Sequence, residues 1–245
     1  MIKELLEVVE NRQIAKQTYM MILAGNTSSI SAPGQFIDIK VDGFYLRRPI
    51  SVADWDSGSV TIIYKVVGNG TRCMSAYAKG DKLDVLMGLG NGYDLQKAKG
   101  RRIILLGGGV GVPPLLGLAR ILKENNEDFG AIIGFGSSDE VFGYNELKRY
   151  TDCVTVTTID GTLGTKGKIT DALDKSKYDY YFACGPEGML KAVHNLAMDG
   201  QLSFEARMGC GFGVCMGCSC RTLTSSKRIC LDGPVMLSSE ISFGD

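Results

Sequence analysis

The chain has 245 residues, 44% of them apolar, with 27 basic and 27 acidic residues and a formal charge of zero. That length builds two compact domains, or two with a small appendix. Balanced charge without a long run of either sign excludes the basic face a nucleic-acid partner needs, and no apolar stretch is long enough for a membrane span. Met1-Ile2-Lys3-Glu4 lacks the apolar core of a secretion signal, so a soluble cytoplasmic protein is expected.

Residues 1–96 read as short strands. Val8-Val9 and 19–23 are apolar, 35–41 alternates with period two after the turn Pro33-Gly34, 60–67 is rich in β-branched residues, and 84–87 follows the turn Gly80-Asp81. Short strands with turns between them predict a small antiparallel barrel. Two spots carry chemistry. In Arg47-Arg48-Pro49-Ile50-Ser51 a proline fixes the direction of an arginine whose planar fork suits a phosphate; an ordinary solvated strand end reads the same way. Gly68-Asn69-Gly70-Thr71 feeds a helix predicted over 72–79. It offers either an anion site at a helix start or a plain turn with Thr71 as the cap. Trp55, between Asp54 and Asp56, is expected in a loop.

The pattern changes at 97–204. Ile103-Ile104-Leu105-Leu106 is a continuous apolar run, as in a strand buried on both faces. Gly107-Gly108-Gly109-Val110-Gly111-Val112-Pro113-Pro114 follows, then a helix over 115–125. Glycines admit a diphosphate close to the backbone, and proline suits the first helical turn. Strands at 129–135, 154–159 and 178–183 alternate with helices at 144–150, 169–173 and 187–198. That alternation predicts a parallel sheet with helices on both faces and ligands at the carboxyl ends of the strands. Cys184-Gly185-Pro186 lies at such an end. Asp139 and Glu140, just past the second strand, favour NAD over NADP, since a carboxylate suits a free ribose; they serve equally as acids at a helix start. His194 reads as a surface or packing residue within its helix.

The last stretch, 205–245, holds five of the eight cysteines within residues 209–230. Cys210, Cys215 and Cys218 follow the spacing C-x4-C-x2-C, and Cys230 is the distal fourth; Cys220 is spare. This is the plant-type layout of a [2Fe–2S] cluster. Structural zinc usually shows two C-x2-C pairs, and only Cys215 and Cys218 make one. Disulfides are not expected in a reducing compartment.

Arg48-Pro49-x-Ser51 followed by Gly70-Thr71 resembles the flavin barrel of the ferredoxin–NADP⁺ reductase superfamily. The resemblance implies that Arg48 holds the FAD pyrophosphate, that Ser51 lies near the isoalloxazine and that Pro49 and Ile50 also contact the cofactor. It also implies that Ile63, Tyr64 and Lys65 line the cofactor and that Gly70 and Thr71 close over the phosphates. Many members carry Tyr where this chain has Ile50, so an aliphatic contact replaces an aromatic stack. Gly107, Gly108, Gly109, Gly111 and Pro113, with Cys184, Gly185 and Pro186, resemble the two NAD(P) motifs of that superfamily, which places Cys184 near the nicotinamide C4 as a positioning group rather than a nucleophile. The chain as a whole is similar to the electron-transfer subunits of class 1B dihydroorotate dehydrogenase. Glu-x-x-Met-x-Cys-Gly-x-Gly-x-Cys-x-x-Cys and the distal Cys-x-Asp-Gly-Pro are the most specific part. The implied architecture is α/β plus all-β: an FAD barrel (1–96), an NAD-binding domain (97–204) and a cluster segment (205–245). The implied activity is a relay from NADH through FAD and the cluster to FMN in a separate catalytic subunit, as a heterotetramer of two of each, in pyrimidine biosynthesis. Related subunits serve sulfide dehydrogenases, hydrogenases and NADH-dependent ferredoxin–NADP⁺ oxidoreductases, and a free-standing flavin reductase or a zinc-stabilised NAD-binding scaffold are the other readings.

Overall fold

The computed structural model describes residues 1–244. The barrel is built from β1 (Ile2–Ala15), β2 (Thr18–Ala24), β3 (Phe36–Ile39), β4 (Arg48–Trp55), β5 (Ser59–Lys65) and β6 (Lys82–Leu89). They close in the order β1-β2-β5-β4-β3-β6, every pair antiparallel. β1 is long because residues 2–7 pair with β6 while the rest pairs with β2, and register shifts along it supply the bend. Leu6, Val8, Met21, Leu23, Ile37 and Ile39 fill the interior, as period-two alternation requires. Helix α1 (Asn69–Met74) bridges β5 and β6 and drops Met74 into that core. It begins earlier than the helix expected over 72–79. Trp55, expected in a loop, is the last residue of β4, with the Arg120 guanidinium 5.4 Å from its ring centre.

The second unit is a sheet of β7 (Ile103–Gly108), β8 (Phe129–Phe135), β9 (Val154–Thr158), β10 (Thr165–Lys166), β11 (Tyr180–Cys184), β12 (Asp199–Ser203) and β15 (Val235–Leu237), in the order β10-β9-β8-β7-β11-β12-β15. All pairs are parallel except β12 with β15. Alternate residues of the buried strands feed two separate cores. Ile103, Leu105, Ala131, Ile133, Tyr180 and Phe182 face helix α2 (Pro113–Glu124) and helix α3 (Tyr144–Lys148). Ile104, Leu106, Ile132, Tyr181 and Ala183 face helix α4 (Glu187–His194) together with Cys218, Ile229, Cys230 and Met236 of the last stretch. One face is thus covered by helices and the other by a helix plus the cysteine segment. α4 ends before the helix expected over 187–198, because Ala197 turns the chain with φ +54° into β12.

The cysteine segment also contributes a hairpin, β13 (Ser219–Arg221) with β14 (Ser226–Arg228). It is sewn into the sheet by β15 and by Asn91, which follows the barrel. Asn91 Nδ2 donates to the carbonyls of Asp232 and Val235, and its Oδ1 accepts from the Val235 N–H at 3.0 Å. Barrel and sheet meet where Ala53 and Ile63 join the α2 core. Arg120 bonds Asp54 at 2.8 Å, Lys16 bonds Asp139 at 2.9 Å and Lys65 bonds Glu140 at 3.0 Å across that boundary. Among the described residues no helix is long and apolar enough to cross a membrane.

Candidate functional site

The cysteine loop folds back on itself through left-handed residues, Gly211 (φ +78°), Gly213 (φ +89°) and Met216 (φ +59°). Backbone donors then point at sulfur. Cys210 Sγ accepts from the N–H of Val214 at 3.2 Å and of Cys215 at 3.4 Å. Cys215 Sγ accepts from Cys210 and Gly217, and Cys218 Sγ from Cys230. Burial works to raise the Cys210 thiol, but the loop N–H groups of Cys215, Phe212 and Val214 outweigh it and bring the thiol down to about 6. The four thiols therefore gather as two pairs, Cys210 with Cys215 and Cys218 with Cys230. Among the described residues no three His, Cys, Asp or Glu side chains converge on a single ion. Two thiol pairs with amide donors aimed at sulfur fit a binuclear iron–sulfur cluster better than one tetrahedral zinc. Cys220 stands apart on β13. It lines a cavity of about 280 Å³ with Phe204, Glu205 and Ile229.

On the barrel, the two phosphate spots come together. A Cβ added to Gly70 would run into the Arg48 guanidinium, so the glycine turn and the β4 arginine share one position in space. Thr71 Oγ1 accepts from the N–H of Val67 at 3.0 Å and of Gly68 at 3.2 Å, which fixes the turn. Pro49 and Ser51 lie opposite Asp38 and Phe36 on the outer wall; Ile50, opposite Ile37, packs on the barrel interior and is half-buried. On β5, Ile63 faces the boundary with the sheet and Lys65 reaches Glu140. Tyr64 turns inward instead, bonded to Asn11 at 3.0 Å and stacked 5.9 Å from Tyr19, so only its backbone is offered to a cofactor.

At the carboxyl ends of β7, β8, β9 and β11 opens a cleft of about 580 Å³, lined by Gly108, Gly109, Gly136, Glu140, Thr157 and Pro186 among others. Gly107 ends the buried run ahead of it, and Pro113 opens α2. Gly111 lies so close to the carbonyl of Cys184 that no Cβ fits, which locks the two NAD motifs together. Thr157 Oγ1 is buried without a hydrogen-bond partner in the wall of this cleft. Unpartnered Thr157 and the Cβ-free cradle fit a nucleotide. Gly185 follows Cys184 and borders the smaller cavity beside Cys220. Cys184 itself is 2% exposed. Burial, with the Glu205 carboxylate beside it, pushes its thiol up to about 12. The shift favours the neutral thiol, and the side chain is buried in the core. A larger cavity, about 890 Å³, lies elsewhere, between the barrel and α3 with Arg12, Ile63, Tyr144 and Arg149 in its walls.

Two residues of the site, Tyr93 and Lys16, were not legible in the motifs; Glu205 and Lys65 were, without their contacts. Glu205, two residues past β12, is pushed up by burial beside Cys184. Tyr93 OH reaches the Ala183 carbonyl at 3.4 Å beneath the same cysteine. Lys16 and Lys65 tie down both acids expected at the ribose. Asp139 bonds Lys16, and Glu140 is held by Lys65 and by the Gly136 N–H at 3.1 Å. Only Glu140 lines the cleft.

Residues 205–242 match the iron–sulfur cluster binding domain of dihydroorotate dehydrogenase B. The full chain is 44% identical to the dihydroorotate dehydrogenase B (NAD(+)) electron transfer subunit of Fusobacterium nucleatum, over 96% of each chain. The chain belongs to this family. The Geobacillus member is 39% identical over 98% of each chain. Among solved structures, an NADH-dependent reduced ferredoxin-NADP oxidoreductase superimposes with a TM-score of 0.86 at 30% identity, covering 98% of this chain and 90% of that one. The family's cluster-binding match spans all four thiols of the two pairs, and the barrel and sheet described above are those of its flavin reductase neighbours.

Proposed function

We propose that this chain is the electron-transfer subunit of an NAD-dependent dihydroorotate dehydrogenase, carrying electrons between NADH and the FMN of a catalytic partner in pyrimidine biosynthesis. The observation that carries the reading is the presence of three parts in one chain: the Arg48–Gly70 turn, the Gly-lined cleft with Thr157, and the two thiol pairs against the outer barrel wall. Arg48 and the Gly70-Thr71 turn would hold the FAD diphosphate. Gly108, Gly109 and Pro186 would seat NADH. Cys210 with Cys215, and Cys218 with Cys230, would each take one iron. When bound, the flavin supplies the exchange between hydride transfer and one-electron transfer, and the cluster supplies the one-electron steps.

The chain's own residues do the rest. Gly111 against Cys184 keeps the nicotinamide end rigid, and the neutral Cys184 thiol packs there without reacting. The β3–β4 register brings the flavin strand next to the cluster loop. Phe212 (38% exposed), Val214 (74%), Met216 (55%) and Leu231 (47%) surround that loop as exposed apolar side chains. They form the face that docks the FMN subunit, in a heterotetramer of two of each, since one-electron transfer needs the cluster close to the partner's flavin. A cytoplasmic location goes with free cluster thiols.

The test mixes the purified chain with an FMN-containing dihydroorotate-oxidising subunit. NAD⁺-linked dihydroorotate oxidation should appear only with both present. Replacing Phe212 or Met216 with Asp should weaken co-elution on size exclusion while NADH-to-dye activity stays largely intact; unchanged co-elution would contradict this docking face. A second reading, a subunit feeding a ferredoxin–NADP⁺ oxidoreductase, is favoured by the structural likeness to such an enzyme. It predicts NADH-linked ferredoxin reduction and no stimulation by the FMN subunit.

A further inference from the structure

Asp38 is a buried carboxylate that no motif accounts for. It lies on the outer wall of β3, directly across the ladder from Pro49 of the flavin strand. The residue is 2% exposed, and its Oδ1 has no hydrogen-bond partner. A Cβ on Gly211 would come within 2.5 Å of its Oδ2, so the carboxylate stands against the backbone of the cluster loop, one residue from Cys210. Gly211 is left-handed there, which brings the loop backbone flat onto the wall.

Two guanidinium groups flank this carboxylate, and neither pairs with it. Arg47 reaches the main-chain carbonyl of Asp38 at 3.2 Å but spends its charge on Asp84, 2.7 Å away. Arg48 turns to the carbonyls of Leu46 and Arg47 and lies 4.7 Å from the centre of the Phe44 ring. An acid left buried without a donor is costly, and folds remove such groups unless something uses them. This one is kept where the flavin strand and the cluster loop touch.

We propose that Asp38 is a positioning residue for the iron–sulfur cluster: its side chain is the wall that sets the loop behind Cys210, and its unpaired carboxylate, when ionised, holds the cluster's potential down. This rests on the reading that Cys210, Cys215, Cys218 and Cys230 hold a [2Fe–2S] cluster. Four thiolates already make the site negative, and reduction adds one more electron. A carboxylate beside it opposes that addition, in the way net charge and hydrogen bonding tune such potentials generally. The effect favours passing electrons on to a partner over storing them.

Asp38→Asn keeps the shape and removes the charge; Asp38→Ser removes the wall as well. Iron, acid-labile sulfide and the EPR signal of the reduced wild-type chain are measured first. Their absence sinks the cluster reading and takes the proposal with it. With the cluster present, both proteins are poised with mediators at the potential where half of the wild-type cluster is reduced, at about pH 8.5, above the Asp38 carboxyl, which burial pushes up to about 7. The reduced-to-oxidised ratio of the Asn variant should rise about tenfold, equivalent to about 59 mV for one electron. Should the Asn variant not retain iron, the Ser variant is read in the same way. An unchanged ratio in either variant that keeps its iron and FAD overturns the proposal.

Discussion

Gly70 and Arg48 are 22 residues apart in the sequence and adjacent in space. Neither residue alone distinguishes a phosphate seat from a turn or a strand end; the contact between them supports the proposed seat. The atom a new Cβ would strike is the far end of a flexible side chain, so Gly70→Ala should fold normally with Arg48 displaced. A guanidinium–phosphate contact contributes about 1.5–3 kcal/mol. Gly70→Ala should therefore weaken FAD binding at least tenfold in reconstitution of the apo-protein followed by flavin fluorescence, with thermal stability little changed. Cys210, Cys215, Cys218 and Cys230 contrast with this pair. They were read as candidate ligands directly from spacing, because a cluster imposes a fixed geometry on a short loop.

At the scale of elements, the sequence showed strands wherever alternation was clean, as at 35–41, and wherever a buried run ended in glycines, as at 103–106. β4 was hidden because Arg48, Pro49 and Asp54 mask its alternation, although Ile50 and Val52 keep the period. β12 and β15 were hidden for another reason. Asp199-Gly200-Gln201 and Val235-Met236-Leu237 have little pattern of their own and become strands only by joining a sheet already formed. β15 in particular is placed by a side chain, Asn91. Its three hydrogen bonds satisfy main-chain groups of a segment whose Val235 is 4% exposed. Asn91→Ala would leave some of these groups buried and unpaired, at a cost of about 2–3 kcal/mol. The urea midpoint should fall accordingly, and iron should be lost more readily because β15 anchors the distal side of the cysteine segment. Retention of both would show that β15 holds its place without Asn91.

Across the whole molecule, the barrel reaches into the nucleotide cleft. Lys65 comes from the flavin strand, yet its partner Glu140 sits over the end of β8 in the NAD cleft. The ion pair is only half-buried, so it contributes little to stability, about 0–1 kcal/mol. Its consequence is for selectivity. A carboxylate fixed at the proposed ribose position repels a 2′-phosphate, and its removal frees a lysine that would attract one. Glu140→Ala should raise the NADPH-to-NADH ratio of kcat/KM by about tenfold or more, since 1.4 kcal/mol is a factor of ten. Steady-state dye reduction with each nucleotide checks it, and an unchanged ratio would move the ribose site elsewhere.

Electron relay through this chain is the central claim, and an anaerobic visible spectrum tests it most directly. The purified chain should carry one FAD with about two irons and two acid-labile sulfides, and NADH should bleach both the flavin and the cluster bands. Flavin without iron would reduce the chain to a simple flavin reductase. Zinc in place of iron, with no flavin and no response to NADH, would contradict the account.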